Sequence, residues 1–381
     1  MRVVAARRER GGGVKIAFIG SRGFPGFLAG VEKCLEEVCP RLAEKGHEIT
    51  LYCSTKVTTK EAVYKGVFLK RTPAIHTKHL DTLSRVFVAS IDALFRNYDI
   101  VHFHSIGPAL LSWITRLSHC KTVVTVHGLD WQRAKWGKLA KACLRIGEQA
   151  AVLFPHRTLV VSKPLVRYYR EQYHKEVLYI PNGVTLQESL PADQITKKWS
   201  LVPQSYLLFV SRLVPEKGCH ILIEAFNRAN TDKKLVIAGE SWHSDDYVAK
   251  LKRMVEKNPN ILFVGWAEGD LLRELFSNAY FYCLPSEIEG MSLSLLEAMS
   301  YGLCPVVSDI PENKEVVGEA GISFSVRDVS NLVGKINFLC QKPETVRKIG
   351  LAARRLVQKE YSWDKAASDL EKVYRGLLKI G

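Results

Sequence analysis

The chain has 381 residues, long enough for two domains with a core each, and its 47% hydrophobic and 24% charged content describes a soluble globular protein. No apolar run approaches the roughly 18–20 residues that a membrane span requires. Nine scattered cysteines contain no Cys-x-x-Cys pair that would point to zinc or redox chemistry. The net charge of +15 is uneven: residues 1–200 hold 31 Lys and Arg against 16 Asp and Glu, and residues 201–381 hold 23 of each. A basic half beside a neutral one implies an anionic partner for the first half. With no helix-turn-helix, zinc-finger or RNP-type motif, nucleic acid is not expected, which leaves an anionic membrane surface as the partner.

Residues 1–13, MRVVAARRERGGG, read as a flexible basic tail outside the fold. The next run, VKIAFIG, is too short for a signal peptide and is soon followed by Arg22, Gly23 and Pro25, so a cytoplasmic location is expected. From Val14 onward short apolar runs alternate with helical stretches. Strands are expected at residues 15–19, 48–53, 67–71, 100–104, 122–126, 158–161 and 177–180, with amphipathic helices such as 31–45 and 83–95 between them. This is the α/β pattern of a doubly wound parallel sheet, whose ligands gather at the carboxyl ends of the strands.

The first such end carries Gly20, Gly23, Gly26 and Gly30, which let a long loop fold tightly; it is neither a GxGxxG fingerprint nor a Walker A loop. His127 and Gly128 end the 122–126 strand, and His102 and His104 end the 100–104 strand as secondary candidates that line a cleft or cap structure. In residues 131–154, Lys138, Lys141 and Arg145 recur at helical spacing while Trp136, Ala140 and Cys143 mark another face. That fits a helix lying at a membrane interface, or equally a solvated helix packed on its own sheet.

Residues 14–185 form the first domain, residues 186–200 a polar linker after the Pro181-Asn182-Gly183 turn, and residues 201–361 the second domain. Residues 362–381 make a closing helix. The second domain has expected strands at 206–210, 235–238, 261–264, 280–284 and 305–308. Arg212 and Lys217 flank a turn directly after the first of these, where two cations neutralise a diphosphate.

The densest chemistry lies in residues 286–302, SEIEGMSLSLLEAMSYG, where seven residues separate Glu289 from Glu297. Gly290 supplies a turn and residues 291–299 a helix, so the N–H groups of Met291, Ser292 and Leu293 are expected to hold an anion. Glu289 precedes that anion site, and Glu297 is spaced to reach the hydroxyls of a ribose. No Asp-x-Asp is present, and Asp245-Asp246 is read as part of a loop, so no metal is expected.

This pair, with its preceding strand and small-residue helix, resembles the Glu-x7-Glu signature of the retaining glycosyltransferases of family 4. Their fold, GT-B, has two Rossmann-like doubly wound domains facing across a cleft, and the resemblance spans residues 15–379. It implies that Glu289 and His127 meet the transferred sugar and that Arg212 and Lys217 grip the donor diphosphate. It places Gly290, Met291, Ser292, Leu293 and Glu297 around the donor, and Gly265 and Trp266 at the base. Family members often carry two glycines before the first helix; here Ala29 replaces one, and Gly30 is the better match. The His-Gly pair with the basic stretch after it is similar to a bacterial subgroup that includes rhamnosyltransferases and other builders of surface polysaccharide. The implied activity is hexosyl or deoxyhexosyl transfer from a UDP- or GDP-sugar to a lipid-linked or growing glycan. It would proceed with retention and without cofactor, at the inner face of the plasma membrane. A sugar-nucleotide epimerase of the same fold and a non-catalytic nucleotide-binding scaffold are the alternatives.

Overall fold

The computed structural model describes residues 12–25, 30–55, 61–75, 77, 80–241 and 245–380. The chain divides into two compact units, Met1–Gly183 with Trp363–Gly381, and Val184–Ser362. Most of the tail and residues 26–29, including Gly26 and Ala29, lie outside the described residues.

The first unit is built on eight strands: β1 (Lys15–Ile19), β2 (Glu48–Ser54), β3 (Val63–Tyr64), β4 (Val67–Thr72), β5 (Ile100–His104), β6 (Lys121–Val126), β7 (Arg157–Val160) and β8 (Leu178–Tyr179). Their order is β3-β4-β2-β1-β5-β6-β7-β8, parallel except for the β3–β4 pair. β1 and β5 are buried almost throughout, as continuous apolar runs in a parallel sheet covered on both faces must be. The second unit has six strands: β9 (Tyr206–Val210), β10 (Lys234–Ala238), β11 (Ile261–Gly265), β12 (Phe281–Leu284), β13 (Cys304–Ser308) and β14 (Ile322–Phe324). Their order is β11-β10-β9-β12-β13-β14, parallel throughout. Leu207, Phe209, Ile237, Phe281 and Val306 from the strands pack with Ile221, Leu222, Leu332 and Ile336 from the helices into one core.

In both units the chain reverses direction across the sheet. β1 lies between β2 and β5, and β9 between β10 and β12, so the loops after each central pair diverge and leave a crevice. In doubly wound sheets such switch points are where ligands gather.

Three local expectations are corrected. Residues 186–200 are not a plain linker: they contain the Gln194–Trp199 helix, and the N–H groups of Asp193 and Ile195 donate to the Glu274 carboxylate at 3.0 and 3.2 Å. A carboxylate on the unpaired donors of a helix start holds the segment to the second unit. The 131–154 stretch breaks after a 3-10 turn at Asp130–Gln132, and its helix runs Lys138–Leu153 behind Gly137. Asp245 and Asp246 open the Asp245–Val255 helix, where carboxylates favour the positive end of its dipole.

The closing helix, Trp363–Leu378, belongs to the first unit. Its Tyr374 hydroxyl lies 2.6 Å from His102 Nδ1 on β5. Its Glu371 accepts from Lys45 Nζ at 2.9 Å and from Arg375 Nε at 2.9 Å. Those bonds, Lys45 first, hold the Glu371 carboxyl at about 2, below its ordinary 4.5. A carboxyl depressed in the folded state adds stability that is full above its unfolded value and lost as pH falls through the folded one. Glu371→Gln is therefore expected to lower stability to urea at pH 7 and to leave it unchanged near pH 2. A deficit constant across that window would mean that the charge contributes nothing.

Candidate functional site

At the second switch point the β9 and β12 loops touch. After β9 come Ser211 and a half-buried Arg212, then a 3-10 turn at Pro215–Lys217 closed by Gly218. Gly218 has φ +69°, and a Cβ there would lie 2.1 Å from the Pro285 carbonyl oxygen just past β12. Only glycine permits that approach. The Glu287 N–H donates to the Glu216 carbonyl at 2.9 Å, fastening the second loop to the first.

The result is a short ion pair. Lys217 Nζ lies 2.6 Å from Glu289 Oε1, with the side chains only 14% and 6% exposed. Removing two charges from water costs several kcal/mol, so such a pair is weak evidence for stability; what it fixes is geometry. It brings together a cation and a carboxylate that the sequence places 72 positions apart.

The helix after Glu289 starts later than expected. It runs Leu293–Ser300, and Ser292 is its N-cap, with Oγ accepting from Leu295 N–H at 3.3 Å. A serine competes well for backbone donors three residues on, and this sets the boundary. Met291 and Ser292 therefore precede the helix, and its first two N–H groups are those of Leu293 and Ser294. The Tyr282 hydroxyl of β12 contacts Ser294 Oγ at 2.9 Å and the Val210 carbonyl at 3.2 Å, tying the helix start to β9. Gly290 lies half-buried in the connection, and Glu297 half-buried beyond the first turn of the helix.

Tyr282, Ser294 and Glu312 were not read from the sequence. Glu312 stands in the first turn of the Pro311–Val317 helix, directly after β13. Burial raises its carboxyl, and the charge of Glu289 adds to the rise. The rule that function follows strand ends reaches Glu312 as readily as Glu289. Trp266, after β11, directs its backbone N–H at Glu240 Oε1, 3.3 Å away.

At the first switch point Gly20 ends β1 with φ +125°, and a Cβ there would lie 2.6 Å from the His104 carbonyl oxygen. Gly30, exposed, opens the Gly30–Glu44 helix that follows β1 in the chain. His127, half-buried at the end of β6, has Nε2 2.9 Å from Nδ1 of His104. His102 is enclosed between Tyr374 and Thr125, whose Oγ1 is 2.7 Å from its Nε2. Burial holds His127 at about 4 and His102 at about 3, and pushes His104 well below the ordinary histidine value, so all three rings are neutral at pH 7. The second switch point holds a cation–carboxylate pair, and the β5 and β6 ends at the first hold neutral imidazoles.

Both units match family models. Residues 193–356 match glycosyl transferases group 1, and residues 28–188 match Glycosyltransferase Family 4. The chain belongs to these glycosyltransferases, and each of its units is a Rossmann-like α/β layer of the GT-B type. It is similar to O-antigen chain mannosyltransferase B of Escherichia coli, 27% identical over 201 residues, which is 52% of this chain and 51% of that one. The match thus spans about half the length of that relative. Among solved structures it is similar to sucrose-phosphate synthase from Thermosynechococcus elongatus, with a TM-score of 0.84 at 20% identity over 96% and 99% of the two chains. It is also similar to Anabaena HepE in complex with UDP-glucose, with a TM-score of 0.79 at 17% identity over 95% and 100%. At these identities the two structures speak for the fold alone.

Proposed function

We propose that this glycosyltransferase moves a hexose or deoxyhexose from a UDP- or GDP-sugar to a lipid-linked or growing surface glycan. Transfer retains the configuration of the sugar and needs no metal. The observation that carries the donor half is the Lys217–Glu289 pair beside the start of the Leu293–Ser300 helix at a switch point. Arg212, Lys217 and the N–H groups of Leu293 and Ser294 stabilise the leaving diphosphate, with charge and dipole aimed where negative charge develops. When phosphate oxygens take Lys217, the Glu289 carboxylate turns to sugar hydroxyls. Glu297 serves the ribose hydroxyls, and His127 is the first unit's candidate for contact with the transferred sugar. The acceptor hydroxyl attacks the face from which diphosphate leaves, and its proton passes to the departing phosphate oxygen.

Thermal unfolding with UDP, GDP, ADP, dTDP and CMP, each with and without EDTA, tests the donor site. One diphosphate at 100 times its Kd is expected to stabilise the protein by about 2.7 kcal/mol, unchanged by EDTA and weakened at least tenfold in affinity by Arg212→Ala. No response to any nucleotide would overturn the donor reading, and loss with EDTA would overturn metal independence.

The acceptor half rests on the outer helices of the first unit. The Trp131 and Trp136 rings are engaged locally: Trp131 Nε1–H donates to Glu148 at 2.6 Å, Arg145 covers the Trp131 ring and Lys135 the Trp136 ring. The exposed apolar groups are instead Phe87, Ile91 and Phe95 at helical spacing along Asp81–Leu94 and its cap, Trp113 and Leu117 beside them, and Leu139, Ile146 and Leu153 on Lys138–Leu153. Phe95 is 82% exposed and Leu117 71%. Arg96, Arg116, Lys138 and Arg145 stand among them, also exposed. Apolar groups rimmed by cations suit an anionic membrane face, where a lipid-linked acceptor lies. No helix among the described residues is long and apolar enough to cross a membrane. The protein is expected to co-sediment with phosphatidylglycerol-containing vesicles and not with pure phosphatidylcholine, and Phe95→Ser with Leu117→Ser to weaken binding severalfold. Equal sedimentation with both vesicle types, or none with either, would contradict the membrane reading.

A further inference from the structure

The two histidines at the ends of β5 and β6 share one proton between Nδ1 of His104 and Nε2 of His127, 2.9 Å apart, with their rings stacked at 5.1 Å and 27°. Since both rings are neutral, one donates and the other accepts, and two arrangements satisfy the contact. His104 decides between them. It is 3% exposed, with its ring tilted against those of Phe18 and His102, and its Nε2 is buried without a partner among the described residues. Were the proton of His104 on Nε2, a buried N–H would be left unpaired; with the proton on Nδ1 the unpaired atom is only a lone pair. Orphaned buried N–H groups are rarer than under-used acceptors.

We infer that His104 is a positioning residue that fixes the tautomer of His127. Its Nδ1–H donates to His127 Nε2 and leaves His127 with its own proton on Nδ1. His127 is thereby a hydrogen-bond donor and not a base, because its acceptor nitrogen is engaged and its other nitrogen already protonated. Asp130, three residues on, favours the charged form of His127 but does not outweigh burial. The ring of His102 is held separately by the hydroxyls of Thr125 and Tyr374, so the flank of His104 is rigid. That His127 offers this N–H to an uncharged oxygen of the transferred sugar rests on the reading above; the tautomer assignment does not. The consequence agrees with transfer in which no side chain takes the acceptor proton.

Long-range proton–nitrogen correlation on 15N-histidine-labelled full-length protein reads the tautomer directly. At pH 7 His127 is expected to show a protonated Nδ1 and an unprotonated Nε2, a pattern kept down to about pH 5. His104→Phe removes the donor, and His127 is expected to shift toward the Nε2–H form, with kcat down about tenfold, one hydrogen bond's worth. Nucleoside diphosphate affinity, set in the other unit, stays the same. His104→Asn, whose side-chain amide can replace the Nδ1–H, is expected to restore both tautomer and kcat. A proton on Nε2 of His127 in the unaltered protein would overturn the inference, whether or not the phenylalanine variant folds. An unchanged kcat despite a changed tautomer would overturn the positioning role. Failure of the unaltered protein to bind any nucleotide would overturn the donor reading and leave the tautomer result standing.

Discussion

A single short ion pair, Lys217 to Glu289, joins two loops that the sequence separates widely, and the second unit is arranged to hold it. β9 and β12 are neighbours, so the two loops leave the sheet side by side. Gly218 lets one loop lie against the Pro285 carbonyl of the other, and Tyr282 ties the following helix to the end of β9. Ser308 of β13 donates to the Ser286 carbonyl, steadying the start of the Glu289 segment from its other side. Replacing a buried ion pair by a well-packed apolar pair is often neutral for stability or better. The pair therefore fixes the geometry of the two loops more than it adds to stability.

The first unit solves a different problem. Its switch point holds imidazoles that burial keeps neutral, in a unit whose surface is strongly basic. The closing helix contributes Tyr374 to that cluster, so a segment at the far end of the chain shapes the histidine site. Diphosphate chemistry needs cations and dipoles.

Much of this is legible in the sequence because strand ends are. Lys15–Ile19, Ile100–His104 and Tyr206–Val210 fall where apolar runs meet Gly20, Ser105 and Ser211, and the α/β alternation dictates the doubly wound architecture. Other features are not local. The start of the Leu293 helix depends on which serine caps it, and two serines compete. Residues 186–200 look like a linker because the Glu274 carboxylate that anchors them lies in a distant helix. That Lys217 and Glu289 meet follows from strand order, which periodicity does not encode. His104 looks like a secondary candidate until β5 and β6 are placed side by side, and then it stands between His102 and His127.

The account turns on Glu289 acting on the sugar rather than merely pairing with Lys217. The measurement that separates the two is Glu289→Gln, comparing nucleoside diphosphate affinity with the rate of sugar transfer. Removing the carboxylate takes a negative charge away from a diphosphate site and releases Lys217 to it. The account predicts that diphosphate binding is kept or tightened while transfer falls by roughly 100-fold or more. Transfer at an undiminished rate, or binding lost together with transfer, would contradict it.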